Sequence, residues 1–121
     1  LPAHLTASGR AILALLPQTQ VRALYPTPAD FVDRHGIGPR SLSALRRVLA
    51  DTRQRGYASE DGEVTPGLAS VAVAVPDHNR HPVAAVALTY PDDTDPAGLP
   101  DAVSATAAHL SRRIGGPAPG E

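Results

Sequence analysis

The sequence contains no cysteine and no lysine, and its only Tyr, Phe or Trp residues are three tyrosines and one phenylalanine. The absence of cysteine excludes a disulfide framework, a thiol nucleophile and a metal site with Cys ligands. Because aromatic residues are scarce, any core is built from Ala, Val, Leu and Ile. Such a core buries little area per residue, so a single domain of 121 residues is expected to be only modestly stable alone.

Charge and hydropathy argue against two further classes of protein. All eleven basic residues are arginine, twelve acidic residues offset them, and the net charge is −1. A nucleic-acid-binding surface normally shows a basic excess, so this segment is not expected to bind DNA itself. No apolar run approaches the roughly 18 residues of a membrane span, and no signal peptide is visible. We therefore expect a cytoplasmic protein with no membrane partner.

Three segments have the apolar spacing of amphipathic helices. The first starts at an N-cap, Thr6 or Ser8, and is stopped by Pro17. The second starts at Ser41 and is closed by Gly56. The third, near the C-terminus, has a predicted apolar stripe of Val103, Ala107, Leu110 and Ile114.

Prolines and glycines dominate the sequence between the first two helices. Residues 26–40 include three prolines and two glycines, which predict an irregular loop. Only short turns are expected here, at Gln20–Tyr25 before the loop and around Ala29–Val32 within it. Further along the chain, Pro91–Pro100 is predicted to be an acidic loop, and residues 116–121 a disordered tail.

Two strands, Leu68–Val75 and Val83–Tyr90, alternate bulky with small side chains, and a weaker strand is predicted at residues 57–59. The simplest hairpin, with Pro76–Pro82 as its loop, places all bulky residues on one face, covered by helices. The opposite face then carries only small residues: Ser70, Ala72, Ala74, Ala85, Ala87 and Thr89. Such a face leaves volume for a closely packed helix or for a ligand, and the sequence leaves both open.

The predicted fold class is α/β in the α+β sense, an antiparallel sheet flanked by helices. Two strong strands and one weak one make a poor independent sheet. Either the chain dimerises, or further strands belong to residues outside this sequence. The second interpretation is favoured, so the sheet is expected to be incomplete at its N-terminal side.

The acidic cluster Glu60, Asp61 and Glu63 is the main candidate for chemistry. It could supply acid–base groups, a cation site, polar ligand recognition or only a solvated turn. His78 and His81 have a spacing that metals sometimes use, but a surface turn explains them better because no third ligand is near. No dinucleotide fingerprint, Walker loop or nucleophile elbow is present. We expect no catalytic residues, no metal and no cofactor.

The ordered set of motifs resembles the C-terminal effector-binding domain of the IclR family of bacterial transcriptional regulators. The motifs that carry the resemblance are Leu1-Pro2-Ala3-His4, Ser8-Gly9-Arg10-Ala11, Arg55-Gly56-Tyr57-Ala58, Pro66-Gly67, Ala84-Ala85-Val86 and Leu110-Ser111-Arg112-Arg113-Ile114-Gly115. The resemblance implies a GAF-like fold over residues 1–115. It also implies that the domain's first helix and first strands, and a winged helix-turn-helix domain before them, lie upstream of Leu1.

The same resemblance implies a function and a pocket. Family members bind small organic-acid or aromatic metabolites, act as homodimers or tetramers, and contact DNA through the N-terminal domain. Carried over by position, the effector-binding residues are Ala7, Ser8, Glu60, Leu68, Ser70, Ala87 and Thr89. Two alternatives remain open: a small hydrolase or isomerase that uses Glu60 and Glu63, and a ligand-free domain that serves in oligomerisation.

Overall fold

The structure, a computed structural model, describes residues 2–31 and 35–117. Leu1 and Val32, which two of the predictions include, lie outside the described residues, as do residues 118–121 of the predicted tail. The elements, in chain order, are α1 (Ala7–Leu15), α2 (Gln18–Leu24), a 3₁₀ turn (Pro28–Asp30), α3 (Leu42–Arg55), β1 (Ala58–Asp61), β2 (Leu68–Pro76), β3 (Pro82–Pro91) and α4 (Leu99–Arg113).

The ends of α1 and α3 follow from local chemistry. Thr6 is the N-cap of α1, since its hydroxyl oxygen accepts the Gly9 N–H at 3.0 Å. Ser41 caps α3 in the same way, accepting the Ala44 N–H at 3.0 Å. Gly56 ends α3 with φ of 86°, a left-handed conformation that favours glycine. The predicted boundaries of both helices are confirmed.

Helix α4 differs from the prediction in its first residue and in its buried stripe. It begins at Leu99, so Pro100 lies in its first turn and not in the preceding loop; proline is tolerated there because the first N–H groups have no helical partner. Its buried stripe is Val103, Ala107 and Ser111, whereas the predicted members Leu110 and Ile114 are exposed. The reason is a polar anchor, because the Ser111 hydroxyl donates to the Pro76 carbonyl at 2.9 Å.

The sheet is antiparallel in the order β1-β2-β3. Its register pairs Val71 with Leu88 and Val73 with Val86, and the alternate pairs join small residues, Ala72 with Ala87 and Ala74 with Ala85. The predicted separation into a bulky and a small face is therefore confirmed. We call the small face the near face and the bulky one the far face. β1 adds Ala58 and Glu60 to the near face, opposite Ala72 and Ser70.

Different helices cover the two faces. α1 packs on the near face through alanine contacts, with Ala7 and Ala11 buried against Ala58 and Ala72. α4 packs on the far face, chiefly against β2, where Val71 and Val75 are buried. Leu88 of the outer strand β3 stays 42% exposed, so the expectation that helices cover every bulky residue is wrong there.

A second apolar cluster joins α1, α2 and α3 on the side away from the sheet. Its buried members are Leu13, Ala14, Val21, Phe31, Leu45 and Leu49. The buried ring of His4 meets Tyr25 and Phe31 edge-on, with both centroid distances 5.6 Å. This cluster packs against the side of α1 that faces away from the sheet, and so helps to fix the position of α1 relative to the near face.

None of the helices in residues 2–31 and 35–117 is long and apolar enough to cross a membrane.

Candidate functional site

A row of three polar side chains crosses the near face at one level, one from each strand. The register places Glu60 of β1 opposite Ser70 of β2, and Ser70 opposite Thr89 of β3. The hydroxyl oxygens of Ser70 and Thr89 lie 2.9 Å apart and share a hydrogen bond. We call Glu60, Ser70 and Thr89 the polar row. The next level consists of alanines only, Ala58, Ala72 and Ala87.

Helix α1 covers Ala58 and Ala72 of the alanine level, and its N-terminus reaches the polar row. Because this end of the helix leaves the polar row partly uncovered, a cavity of about 360 Å³ remains between them. The lining residues are Thr6, Ala7, Ser8, Glu60, Val64, Ser70, Ala87 and Thr89. Both uses of a small-residue face occur here, close helix packing at the alanine level and an open cavity at the polar level.

Six of the seven predicted effector-binding residues line this cavity: Ala7, Ser8, Glu60, Ser70, Ala87 and Thr89. The seventh, Leu68, does not line it. Leu68 lies one level beyond the polar row, opposite Pro91 at the end of β3, and is 37% exposed. It can at most border the mouth of the cavity. Val64, which lines the cavity from the turn after β1, was not predicted.

Glu60 is a buried carboxylate with few partners. Its side chain is only 7% exposed. Among the described residues, its Oε2 accepts one hydrogen bond, from the Glu63 N–H at 3.3 Å, and its Oε1 accepts none. Since no fully buried side-chain oxygen of the described residues lacks a partner, Oε1 opens on accessible space. A buried carboxylate is costly unless donors or a cation compensate it, and water or a ligand in that accessible space can donate to Oε1.

Arg10 is the nearby cation, and it is committed to Glu63. Only 4% exposed, it forms an ion pair with the Glu63 carboxylate. It also donates from Nε to the His4 carbonyl and from a terminal nitrogen to the Ser59 carbonyl, each at 2.8 Å. One arginine thus ties the start of α1 to β1 and to the acidic turn. It stabilises two walls of the cavity without lining it.

The importance of Arg10 was missed at the sequence level, although a signal exists. Arg10 lies on the stripe of α1 that includes Ala7, Ala11 and Ala14, all of them buried. A charged residue within an apolar helical stripe is seldom left unpaired when it is buried. The position of its partner could not be read from the sequence, because Glu63 is 53 residues further along the chain.

The N-terminus of α1 contributes hydrogen-bond donors to the cavity. Thr6 satisfies the N–H of Gly9, but within the described residues the N–H groups of Ala7 and Ser8 have no acceptor. The helix dipole adds a partial positive charge at this end. Free N–H groups and that charge together suit an anionic or strongly accepting group.

A larger groove of about 860 Å³ lies on the far face and differs in character. It is lined by four exposed carboxylates, Asp51, Asp61, Asp95 and Asp101, with Tyr90 beside them. Burial, and then the charge of Asp61, raise the pKa of Tyr90. These carboxylates are already hydrated, so they do not require a ligand. Glu60 borders both spaces because β1 is an edge strand.

Neither space has the ligand set of a metal site. Across the described part of the chain, no group of three or more His, Cys, Asp or Glu side chains is arranged to hold a metal ion. His78 and His81 are exposed in the hairpin. We take the cavity of about 360 Å³ as the candidate site. Its polar row and the N-terminus of α1 suit binding of a small organic molecule.

Comparison with known proteins gives one consistent result. Residues 1–111 match the family described as "Bacterial transcriptional regulator IclR C-terminal". Over 98% of its length the sequence is 33% identical to the HTH-type transcriptional regulator XynR of Escherichia coli (strain K12), of which the match covers 48%.

Solved structures give the same answer. The repressor BlcR of Agobacterium tumefaciens superposes with a TM-score of 0.85 at 30% identity, over 95% of this chain and 48% of that one. The IclR protein of Thermotoga maritima gives a TM-score of 0.81 at 28% identity, over 93% of this chain and 47% of that one. The chain thus spans about half the length of these relatives, and the α+β fold class is confirmed.

Proposed function

The chain belongs to the IclR family of bacterial transcriptional regulators, as its C-terminal domain, and from this premise we propose that it binds a small-molecule effector in the cavity below α1. The observation that carries the proposal is the polar row beside the free N–H groups of Ala7 and Ser8. A row of hydrogen-bonding groups, two of them buried (Glu60 and Ser70), that lines a small cavity is a common form of ligand site.

A small organic acid or aromatic metabolite fits this arrangement. The N-terminus of α1 favours a carboxylate, and Val64 and Ala87 supply apolar wall. In this proposal Ala7, Ser8, Glu60, Ser70, Ala87 and Thr89 contact the effector, and Leu68 only borders the entrance. No catalytic residue, metal or cofactor takes part.

Regulation would follow from a change in assembly. We propose that the domain acts in a homodimer or tetramer, and that a DNA-binding domain N-terminal to this segment contacts an operator in the cytoplasm. A ligand that joins α1 to the polar row would stabilise one position of α1 relative to the sheet. If that position favours one subunit arrangement, ligand binding and operator binding are coupled.

The complete gene product provides the test. A library of small carboxylic and aromatic acids is screened by thermal shift, and hits are assayed for release of operator DNA. A ligand at about 100 times its Kd should add about 2.7 kcal/mol to the free energy of unfolding. Ser70→Trp, which fills the cavity, should abolish both effects, whereas Ser43→Trp on exposed α3 should abolish neither. If no acid stabilises the protein and Ser70→Trp leaves operator release unchanged, the sensor proposal fails.

The acid–base enzyme alternative receives less support. It needs both Glu60 and Glu63 as working carboxylates, but Glu63 is paired with Arg10. It would be revived if the chain hydrolysed or isomerised a substrate and Glu63→Gln abolished that turnover.

A second candidate, a role in association, is favoured by the outer strand. β3 pairs with β2 alone among the described residues, and its residues 83–90 carry no charge, no lysine and no proline. Natural proteins usually protect an exposed edge strand with charged residues, lysine or proline. Because β3 has none of these, we expect its free edge to be covered by further strands or by a second subunit. Leu88→Lys should then reduce self-association in light scattering. Leu24→Lys on α2, where the leucine is also exposed, should not, and equal behaviour of the two variants would count against this candidate.

A further inference from the structure

We infer that the solvent-facing side of α4 pairs with α4 of a second copy of this chain, in an antiparallel arrangement about a twofold axis. The inference rests on the homodimer proposed above, and it deepens that proposal by naming a surface and a register. The surface is distinct from the free edge of β3, which would associate through its backbone and not through charged side chains.

Four residues of α4 form one line along its solvent-facing side. They follow one another at intervals of four, three and four residues: Asp101, Ala105, Ala108 and Arg112. Such intervals keep side chains on one side of a helix. Three of the four are exposed, and Ala108 is half-buried. α4 packs on β2 and β3 through its buried stripe, to which none of these four residues belongs. We call them the outer line.

The outer line has opposite charges at its two ends and small side chains between them. In a twofold pair, if one residue meets a second residue of the partner, the second also meets the first. An axis midway between Ala105 and Ala108 is also midway between Asp101 and Arg112. It therefore brings Asp101 of each copy to Arg112 of the other, and Ala105 to Ala108. No like-charged pair arises along the line.

The two charged residues of the outer line are not paired within the chain. Among the described residues, no salt bridge includes Asp101 or Arg112. Asp95 just before the helix and Arg113 at its end extend the two charges. The helix dipole favours an acid in the first turn and a base in the last, but it acts alike on every side of the helix. It does not account for opposite charges on one line with only alanines between them.

The alanines of the outer line let two helices approach closely. Packed helices lie about 8–10 Å apart, depending on the side chains at the contact, and alanine favours the short end of that range. Because Cα atoms lie about 2.3 Å from each axis, facing Cα atoms of Ala105 and Ala108 would be about 4–5 Å apart. Asp101 and Arg112 lie about 16 Å apart along the axis, so the contact would extend over most of α4.

Two charge reversals test the pairing by sedimentation velocity on the 121-residue chain. Asp101→Arg and Arg112→Asp each place like charges at both symmetric contacts. Each variant alone should therefore self-associate about tenfold more weakly than the parent chain. An equimolar mixture of the two variants should associate about as tightly as the parent chain, because every charged contact in the mixed pair joins Asp to Arg. Arg46→Glu, a reversal of an exposed charge on α3, should change nothing.

A disulfide crosslink tests the register without changing a charge, and so serves even if a reversed variant does not fold. The sequence has no cysteine, so each introduced thiol reports one contact. Facing Cα atoms about 4–5 Å apart lie within the range that a disulfide spans. A mixture of Ala105→Cys and Ala108→Cys chains should therefore crosslink faster under mild oxidation than either variant with itself. Ala50→Cys, exposed on α3, should not crosslink faster with Ala108→Cys than with itself.

Each contrary result has a distinct meaning. Equal association of the parent chain and both reversed variants assigns the two charges to the helix dipole and overturns the inference. A parent chain that stays monomeric up to about 1 mM, the range of weak complexes, overturns it too. If Leu88→Lys abolishes association and the reversals do not, the contact lies at β3, and this inference fails while the proposed homodimer stands. If the complete gene product is also monomeric, the proposed homodimer fails as well.

Discussion

The two faces of the sheet are built by the same strands but solve packing in opposite ways. On the far face, valines of β2 are buried beneath α4, as in an ordinary apolar core. On the near face, alanines allow α1 to approach closely, but each alanine contributes little buried area. The near face therefore holds its helix with a polar anchor, Arg10, where the far face uses branched side chains.

The comparison shows why the candidate site is on the near face. Larger apolar side chains at Ser70 and Ala87 would fill the space beside the N-terminus of α1. Small and polar side chains leave that space open, and close packing of the alanine level keeps α1 in place. The polar row buries little apolar surface and so contributes little to the free energy of folding. Arg10 and the apolar cluster of α1, α2 and α3 stabilise the position of α1 instead.

The largest effect is expected when the near-face anchor is removed. Arg10→Met keeps a similar stem but leaves Glu63 and two carbonyl oxygens without their donor. Breaking a buried pair from one side typically costs about 3 kcal/mol or more. We expect a fall of about 3 kcal/mol in the free energy of unfolding, measured by urea denaturation.

Arg47→Met is the matched control for this loss. Arg47 is exposed on α3 and, among the described residues, its side chain makes one hydrogen bond, of 3.4 Å to Ser43, so its loss should cost less than about 0.5 kcal/mol. A cost for Arg10→Met as small as that of the control would show that alanine packing alone holds α1, and the contrast between the faces would then disappear.

A smaller effect is expected when apolar volume is added to each face, two methyl groups on the near face and one on the far face. Ala72→Val places two methyl groups beneath α1 at a residue with 0% exposure, which should cost about 1–3 kcal/mol by overpacking. Val71→Ile, the neighbouring residue on the far face, should cost less than about 1 kcal/mol, because Val71 borders the far-face groove. A loss of free energy of unfolding for Val71→Ile as large as that for Ala72→Val, in urea denaturation, would mean that the far face is packed at least as tightly as the near face.

Much of the fold could be predicted from the sequence because its signals are local. Cap residues and glycines set the ends of α1 and α3, and the alternation in β2 and β3 fixes which side chains share a face. The stripe of α4 could not be predicted in full. Ser111 replaces Leu110 on the buried side because its hydroxyl reaches Pro76, 35 residues away, and no local pattern encodes that contact.

Part of the candidate site could likewise be predicted from local patterns, and part could not. The small-residue face was predictable from alternation, and the family resemblance named Ala7, Ser8 and Glu60. Leu68 lies outside the cavity because α1 and the turn after β1 border the cavity only at the level of the polar row. The role of Arg10 depends on a partner 53 residues distant. Both are properties of tertiary packing, which periodicity does not report.

The separation of bulky and small side chains onto two faces depends on the register of the β2–β3 hairpin. A slip by one residue would move the near-face side chains of β3 to the far face. The loop sets that register. The Asp77 carboxylate accepts the N–H groups of Asn79 and His81 at 2.8 and 3.0 Å, the Asp77 N–H donates to the His81 carbonyl at 2.9 Å, and Arg80 takes a left-handed φ of 60°. The ladder is irregular only between Val75 and Pro76. Asp77 is thus the side chain that organises the turn.

The smallest predicted effect is the pH dependence of this turn. The hydrogen bond from the His81 N–H, more than that from Asn79, holds the pKa of Asp77 below its ordinary value of 3.8. Because the folded-state pKa is depressed, the carboxylate stabilises the fold above pH 3.8 and loses that contribution as pH falls through the lower folded value.

Asp77→Ala should therefore lower the thermal midpoint at neutral pH, and the difference between its midpoint and that of the parent chain should narrow below pH 3.8. Asp77→Asn keeps an acceptor that does not titrate, so its difference from Asp77→Ala should not vary with pH. His78 and His81 add a smaller attraction that also lowers the pKa of Asp77, and Asp77→Ala and Asp77→Asn both remove it. A gap between the parent chain and Asp77→Ala that stays constant down to acid pH would mean that the negative charge of Asp77 does not stabilise the turn.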